Sequence, residues 1–322
     1  MDVMRNRIRP ILDSLRQWRC RFSEELTEVE IRPGDYHFSE KLDADQLKDG
    51  WMSFGACETW GGRDRHFWFR TKVVIRKEWA GKEVRVTLNT GADDIWNTDN
   101  PQIMAYKNGI LSGTMDMNHQ DLILAEEAEE AEVFELVFYA YSNSENSTNF
   151  FHLKAAVYDR EIADLYYDLK VPFEAAELCF EEDLDRIEAM KFLNTAISGL
   201  DLRKPGSEEF YQSVREVREY VKKNLPDICR SSRVTVHSIG HTHIDVAWKW
   251  PLRQTRQKAV RSFQTVLNLM EQYPEYKFMS SQPQLYAFVK EEAPELFEKI
   301  KEKIQKEECG WNRTVIWLPV SH

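Results

Sequence analysis

The sequence lacks the features of membrane and secreted proteins. None of its apolar runs approaches the ~20 residues that a membrane-spanning helix needs. The basic start at residues 1–7 is followed by a segment that Arg, Asp and Gln interrupt, so there is no signal-peptide core. The five cysteines are far apart and include no Cys-x-x-Cys pair, which indicates free thiols in a reducing compartment. We therefore expect a cytoplasmic protein with no membrane partner.

An excess of positive charge is also absent. The chain has 43 Lys and Arg against 54 Asp and Glu, a formal net charge of −11. Because basic residues drive nucleic-acid binding by neutralising phosphates, this balance argues against a nucleic-acid partner. The composition, 42% hydrophobic and 30% charged, is otherwise that of a soluble globular protein. At about 150 residues per domain, the 322 residues predict roughly two domains.

Residues 31–165 alternate as antiparallel strands do. Apolar side chains recur at every second position, and Asn108-Gly109 between two apolar flanks predicts a hairpin. Several short strands with turn signals between them favour an antiparallel β-sandwich, jelly-roll-like, as an accessory domain. The residues before it, 1–30, are predicted to form an amphipathic helical segment. Strands are predicted at 66–75, 83–88, 133–139 and 151–157, and the hairpin is predicted at 105–111.

Residues 166–232 are predicted to form a helical connector. The charged segments 177–196 and 207–224 carry apolar residues near helical spacing. Lys204-Pro205-Gly206 separates the two segments, and Ser207 is placed to cap the second helix.

Residues 233–322 begin as a parallel α/β domain does. Strand, helix, strand and helix follow one another, which is the opening pattern of such a fold. Strands are predicted at 234–240 and 277–281, and helices at 259–270 and 285–306, the first ended by Pro274 and the second divided by Pro294.

The motif with chemical potential lies directly after the first of these strands, where α/β folds gather their ligands. His243 and Asp245 are two residues apart, so on an extended segment their side chains point the same way. A neutral imidazole and a carboxylate suit Zn²⁺ or a similar divalent ion. His241 lies on the same face, so two of the three could ligate while the third orients a neighbour. The full motif is Gly240-His241-Thr242-His243-Ile244-Asp245-Val246-Ala247-Trp248.

Spacing alone leaves other interpretations of this motif open. A histidine is more often a satisfied polar residue than a ligand, and His-x-His after a first strand also opens metal-dependent amidohydrolase barrels. Trp248 and Trp250 offer flat apolar faces for stacking on a sugar.

The wider context favours one family. Residues 236–251, with Arg261-Ser262-Phe263, Pro274-Glu275-Tyr276 and Ser280-Ser281-Gln282-Pro283, resemble the opening of the catalytic domain of glycoside hydrolase family 38, the class II α-mannosidases, most of all its cytosolic and bacterial branch. The resemblance runs to about residue 307. It implies a retaining exo-α-mannosidase with one divalent ion, usually zinc, acting on mannose-containing oligosaccharides, and for the full-length enzyme it allows a homo-oligomer. Downstream of Asp245 it favours the mannosidase over the amidohydrolase.

The resemblance also implies roles for three residues. The metal ligands of the family map onto His243 and Asp245, with His241 less favoured, and Asp245 also meets the sugar. The tryptophan that lines the sugar subsite maps onto Trp248. The nucleophile and the general acid are expected beyond His322, so the resemblance assigns no catalytic residue to this chain.

The last residues depart from the family pattern. The family has a Trp-Leu-Pro-Asp sequence, and a similar stretch near the end of this chain has Val320 in place of the aspartate. Too few residues follow Arg233 for a barrel of about 250 residues. We expect only the first βα units of an incomplete α/β barrel-type catalytic domain, inactive alone, and a last dozen residues that reflect a frameshift or an early stop in a longer gene. The alternative is a non-catalytic carbohydrate-binding module in which tryptophans of the β-rich region hold a sugar.

Overall fold

The computed structural model describes residues 2–34, 41–43, 47–91, 100–228, 236–248 and 250–305. Two compact units make up the chain. The first comprises Met1–Ser23 and Ala156–Val236, and the second Glu24–Ala155 and His237–His322. The domain boundaries predicted from the sequence stay a prediction. The residues near the end of the chain, Val320 included, lie outside the described residues.

Helices and strands follow one another in a mixed α/β order. The helices are α1 (Asp2–Trp18), α2 (Arg160–Leu178), α3 (Leu184–Ser198), α4 (Glu208–Ile228), α5 (Leu252–Gln272), α6 (Pro283–Glu292) and α7 (Pro294–Gln305). The strands are β1 (Cys20–Leu26), β2 (Glu30–Pro33), β3 (Met52–Ser53), β4 (Trp60–Gly61), β5 (Arg65–Val74), β6 (Val84–Asn89), β7 (Gln102–Lys107), β8 (Ile110–Met115), β9 (Asp121–Ala125), β10 (Val133–Ser142), β11 (Ser147–Asn149), β12 (His152–Tyr158), β13 (Gly240–His241) and β14 (Phe278–Met279). No described helix is long and apolar enough to cross a membrane.

The first unit is built around a core shared by α1, α2, α3 and α4. Each helix turns an apolar stripe inward, and the buried side chains include Leu15, Leu169, Leu193 and Val217. The predicted cap is confirmed, since the Ser207 hydroxyl accepts a hydrogen bond from the backbone N–H of Phe210 at 3.2 Å.

Two helical predictions in this unit are wrong in their extent. The helix expected through residue 30 ends at Trp18, and the edge strand β1 follows. Segment 177–196 is not one helix, because α2 ends at Leu178 and α3 begins at Leu184. The buried guanidinium of Arg186 stabilises this break by donating to the carbonyl oxygen of Cys179 at 2.9 Å and to two carbonyl oxygens in the last turn of α2.

The second unit contains most of the sheet structure. A six-stranded sheet, antiparallel throughout, has the order β3-β2-β5-β10-β7-β8, and a four-stranded sheet has the order β1-β12-β6-β9. The hairpin predicted at Asn108-Gly109 joins β7 to β8, and both residues have positive φ, as a tight hairpin turn needs. Antiparallel strands over this region are therefore confirmed, whereas the finer jelly-roll-like description stays a prediction.

Strand β5 is buried on both faces at its centre. Phe69 points one way and stacks on Phe151 at 3.7 Å between ring centroids. Trp68 points the other way into a core that holds Tyr106 and Tyr139 from the sheet together with apolar side chains of α5, α6 and α7. The sheet and the helices that follow the motif thus share one hydrophobic core.

The motif-bearing segment runs β13, α5, β14, α6, α7. β13 and β14 pair in parallel, with Gly240 opposite Phe278 and His241 opposite Met279. The strand predicted at 234–240 is wrong in its extent. Among its described residues, 236–240, only Gly240 pairs with another strand. β13 then continues to His241. Its partner strand is two residues long, and residues 234 and 235 lie outside the description. No closed barrel is formed by the described residues.

Two of the predicted helix ends are confirmed. α5 ends at Gln272, before Pro274, and Pro294 begins α7 after the break that follows α6. Cys57 and Cys179 carry free thiols, while Cys229 and Cys309 lie outside the described residues.

Candidate metal centre

The motif begins on β13 and continues into the loop between β13 and α5. The loop is anchored from both sides: Ile244 is fully buried, Gln282 donates its side-chain N–H to the carbonyl oxygen of Ile244 at 3.2 Å, and the Thr255 hydroxyl donates to that of Val246 at 2.5 Å. These bonds satisfy backbone carbonyls that no strand or helix pairs, and they fix the loop at the end of β13.

His243 and Asp245 lie side by side on this loop. The imidazole Nε2 of His243 is 3.3 Å from the carboxylate Oδ1 of Asp245, and the side chains are 76% and 44% exposed. Two ligand atoms held at ~2.1 Å from one tetrahedral zinc would lie about 3.4 Å apart. The spacing of the pair therefore fits a shared zinc ion as well as it fits a direct hydrogen bond.

His241 makes a different contact. Its Nδ1 lies 2.8 Å from the backbone carbonyl oxygen of Met279 on β14. Because a carbonyl oxygen only accepts, Nδ1 carries the proton and donates, and in the neutral ring Nε2 keeps its lone pair. His241 is thus oriented by the strand pair, apart from the contact between His243 and Asp245. Which of the three residues ligate stays a prediction.

The donor set is small. Among the described residues, no group of three or more His, Cys, Asp or Glu side chains is arranged to hold an ion. Tight zinc sites use three or four protein ligands. The donor chemistry of His243 and Asp245 fits zinc, but the pair by itself accounts for half of such a shell.

Trp248 and Trp250 follow the pair on the same loop. Their rings meet edge to face at 5.8 Å between centroids, and Trp248 is 58% exposed. The Trp250 indole N–H donates to the Thr255 hydroxyl at 3.1 Å, and the Lys258 ammonium lies 3.9 Å from the centroid of the Trp250 ring. Trp250 is therefore held in place, whereas Trp248 presents a large apolar surface beside the candidate metal ligands.

A cavity of about 280 Å³ adjoins the motif and was not foreseen from the sequence. It is lined by His241 and Thr242, by one face of α5, and by the end of β8 with the turn after it. Lys258 and Arg261 contribute two cations to its lining, and Asp116 contributes a carboxylate. The signal in the sequence was the spacing of Lys258, Arg261, Ser262 and Thr265, which places all four on one side of a helix.

Comparison with known proteins shows which family the motif-bearing segment resembles. Residues 233–312 match the family described as glycosyl hydrolases family 38 N-terminal domain. The chain is therefore a distant homologue of α-mannosidases over part of their length, which confirms the resemblance predicted from the residues around His243 and Asp245.

Three curated relatives show the extent of this homology. The chain is 27% identical to "Alpha-mannosidase G" of Dictyostelium discoideum over 88% of its own length and 26% of that protein. It is 28% identical to "Alpha-mannosidase" of Saccharomyces cerevisiae and 26% identical to "Alpha-mannosidase 2C1" of Mus musculus, covering 23% of each. The chain thus spans about a quarter of the length of these relatives.

Among solved structures, a β-glucuronidase of Bacteroides uniformis aligns with 42% of this chain and 18% of its own at a TM-score of 0.30 and 12% identity. A likeness at that level carries no argument about fold or function.

Proposed function

We propose that this chain supplies part of the metal and sugar site of a retaining, divalent-metal-dependent α-mannosidase that releases terminal α-mannosyl residues from oligosaccharides. The observation that carries the proposal is that the segment matching family 38 places His243 and Asp245 within 3.3 Å of each other. In this proposal the pair holds zinc, and Asp245 and Trp248 meet the sugar. His243 and Asp245 would hold the ion, which would supply Lewis-acid contacts to hydroxyl groups of the sugar.

The residues of the loop would each have a separate task. Trp248 would stack on the C–H face of the sugar, since it is exposed and apolar and adjoins the pair. His241, bound to the carbonyl oxygen of Met279, would orient the segment from which His243 projects.

The proposal includes the domain organisation of the chain. We infer a jelly-roll-like accessory domain, a helical connector, and the first βα units of an α/β barrel-type domain beginning with β13. A cytoplasmic location and a homo-oligomer of the full-length enzyme belong to the proposal too. The free thiols of Cys57 and Cys179 support a reducing compartment.

A sugar-binding module formed by the β-rich region alone is supported less well. Trp60, Trp68 and Trp79 are buried in the core, where no sugar reaches them. Trp51 is half-buried, and the guanidinium of Arg70 lies over its ring at 4.4 Å. The exposed tryptophan that adjoins candidate ligands is Trp248, outside that region.

Zinc binding tests the proposal directly. The metal-free chain is expected to bind one zinc ion weakly, and His243→Ala or Asp245→Ala is expected to lower the affinity at least about tenfold, because each removes one of two donors. Isothermal titration calorimetry with ZnCl₂ measures this.

His237→Ala is the matched control, because it removes an exposed histidine from the same segment and should leave zinc affinity unchanged. His241→Ala separates ligation from orientation, with a smaller loss expected for orientation. Equal zinc affinity in the wild-type chain and in the His243 and Asp245 variants would refute the assignment.

Hydrolysis by the 322-residue chain alone is expected to be undetectable. Retaining chemistry needs two carboxyl groups about 5–5.5 Å apart, one to attack and one to protonate the leaving oxygen. The described segment 236–248 provides one, Asp245. Zinc-loaded chain should therefore release 4-nitrophenol from 4-nitrophenyl α-mannoside no faster than buffer. Turnover that copurifies with the chain and is lost in Asp245→Asn would contradict this expectation.

A further inference from the structure

The cavity beside the motif has a wall of cations and hydroxyl groups. Lys258, Arg261, Ser262 and Thr265 occupy positions i, i+3, i+4 and i+7 of α5, so a single helical face presents them to the cavity. The opposite wall comes from β8 and the turn after it. A volume of about 280 Å³ is at the small end of ligand sites and suits a compact ligand.

The two cations have no carboxylate partner in ion-pair contact within the part of the chain that the structure describes. Arg261 is 7% exposed, and its guanidinium donates to the side-chain oxygen of Gln102, a neutral group. The Lys258 ammonium rests on the Trp250 ring. A buried guanidinium has five N–H donors to satisfy, and a neutral amide neutralises none of its charge.

Burial lowers the pKa values of both groups more than nearby carboxylates raise them. Burial, with the neighbouring Arg261 charge second, lowers the pKa of Lys258 to about 8. Burial likewise lowers the pKa of Arg261 to about 10. Both side chains are therefore less stable as cations here than in water, and an anion in the cavity would reverse that effect.

Asp116 is the acidic side chain on the cavity wall, and it is already engaged. Its Oδ1 accepts hydrogen bonds from the backbone N–H groups of Asn118 and His119, each at 2.8 Å, and lies 3.1 Å from the His119 ring Nδ1. This local pair raises the pKa of His119. The Asp116 charge also attracts Lys258 and Arg261, but burial outweighs that attraction at both cations.

Hydroxyl groups complete the wall. The Ser262 hydroxyl makes no hydrogen bond with any other described residue, so it can donate to a ligand oxygen. The hydroxyls of Thr114 and Thr265 bond to each other. A guanidinium, an ammonium and a hydroxyl together form the donor set that phosphate groups prefer.

We propose that this cavity binds a small phosphate-type oxyanion between Lys258, Arg261 and Ser262. The inference goes beyond the proposed function, since a neutral mannoside needs no pair of cations. A phosphate group carried on a small molecule and free phosphate share this chemistry.

The test uses the metal-free full chain and inorganic phosphate as the probe, with heat of binding and Tm as readouts. Phosphate is expected to bind and to raise Tm, because a ligand that binds the folded state stabilises it. Lys258→Met should weaken phosphate binding at least tenfold. Arg256→Met removes the same charge from α5 outside the cavity, where Arg256 pairs with Glu291 and Glu292, and should leave phosphate binding unchanged.

Three further binding measurements distinguish the possible explanations. Arg261→Lys keeps the buried charge, guards against misfolding, and should still weaken binding by removing the planar donor fork. His243→Ala should leave phosphate binding unchanged, which separates this site from the candidate metal centre. Mannose 6-phosphate binding more tightly than phosphate would indicate a phosphorylated small molecule, and equal affinity would indicate the free ion. A phosphate effect matched by chloride at equal ionic strength, or unaltered by Lys258→Met, would overturn the proposal.

Discussion

Replacing Trp68 by alanine is expected to lower the free energy of unfolding by about 3–5 kcal/mol. Trp68 is 2% exposed and contacts Tyr139 at 4.7 Å and Tyr106 at 6.2 Å between ring centroids. Removing the indole leaves a large cavity in a core where sheet residues meet α5, α6 and α7. Surrounding side chains relax only partly into such a space, so the lost contacts are not recovered.

Urea unfolding followed by circular dichroism measures this change. Val74→Ala is the matched control on the same strand, because Val74 is 55% exposed and its truncation should change stability by no more than about 0.5 kcal/mol. If Trp68→Ala cost no more than Val74→Ala, Trp68 would not be a central part of the core.

The Trp68 substitution bears on the candidate site through its neighbours. Phe263 on α5 and Phe278 on β14 belong to the core that Trp68 enters. Loss of this core should therefore loosen the helix that presents Lys258 and the strand pair that orients His241. We expect phosphate and zinc binding to weaken together in a partly unfolded Trp68→Ala chain.

The regular strands and the motif were predictable from the sequence because their signals are local. The alternation of apolar residues near Phe69 indicates a strand, because successive side chains of a strand point to opposite faces. Asn108-Gly109 indicates a turn, because both residues readily adopt the positive φ that the turn requires. Proximity of His243 and Asp245 follows from a spacing of two on an extended loop. None of these features needed knowledge of distant contacts.

The features that could not be predicted from the sequence depend on residues far away along the chain. β1 has the charged composition of a surface segment and becomes a strand by joining a sheet edge beside a strand more than a hundred residues later. The break at Leu178 depends on Arg186 reaching back to carbonyl groups. The cavity arises only when Lys258 and Arg261 on α5 face Thr114 on β8. Tertiary packing decides such cases over local propensity.

Gly240→Ala is the second substitution with a large expected effect. A Cβ added at Gly240 would lie 2.2 Å from the Tyr276 hydroxyl oxygen and 2.7 Å from Cζ of that ring. Atoms do not approach so closely, so Tyr276 or the β13 backbone must move, which we expect to cost about 1–3 kcal/mol of unfolding free energy. Displacing β13 should also lengthen the hydrogen bond from His241 to the Met279 carbonyl oxygen.

A double-mutant cycle with Tyr276→Ala identifies the cause of this destabilisation. If the ring is the obstacle, Gly240→Ala should cost less than about 0.5 kcal/mol in the Tyr276→Ala background, a coupling of the size that contacting residues show. Gly55→Ala is the control, because its Cβ would meet only the Glu58 side chain, at an ordinary 3.5 Å. The same cost of Gly240→Ala in both backgrounds would mean that the Tyr276 ring is not the obstacle to a side chain at the start of the motif.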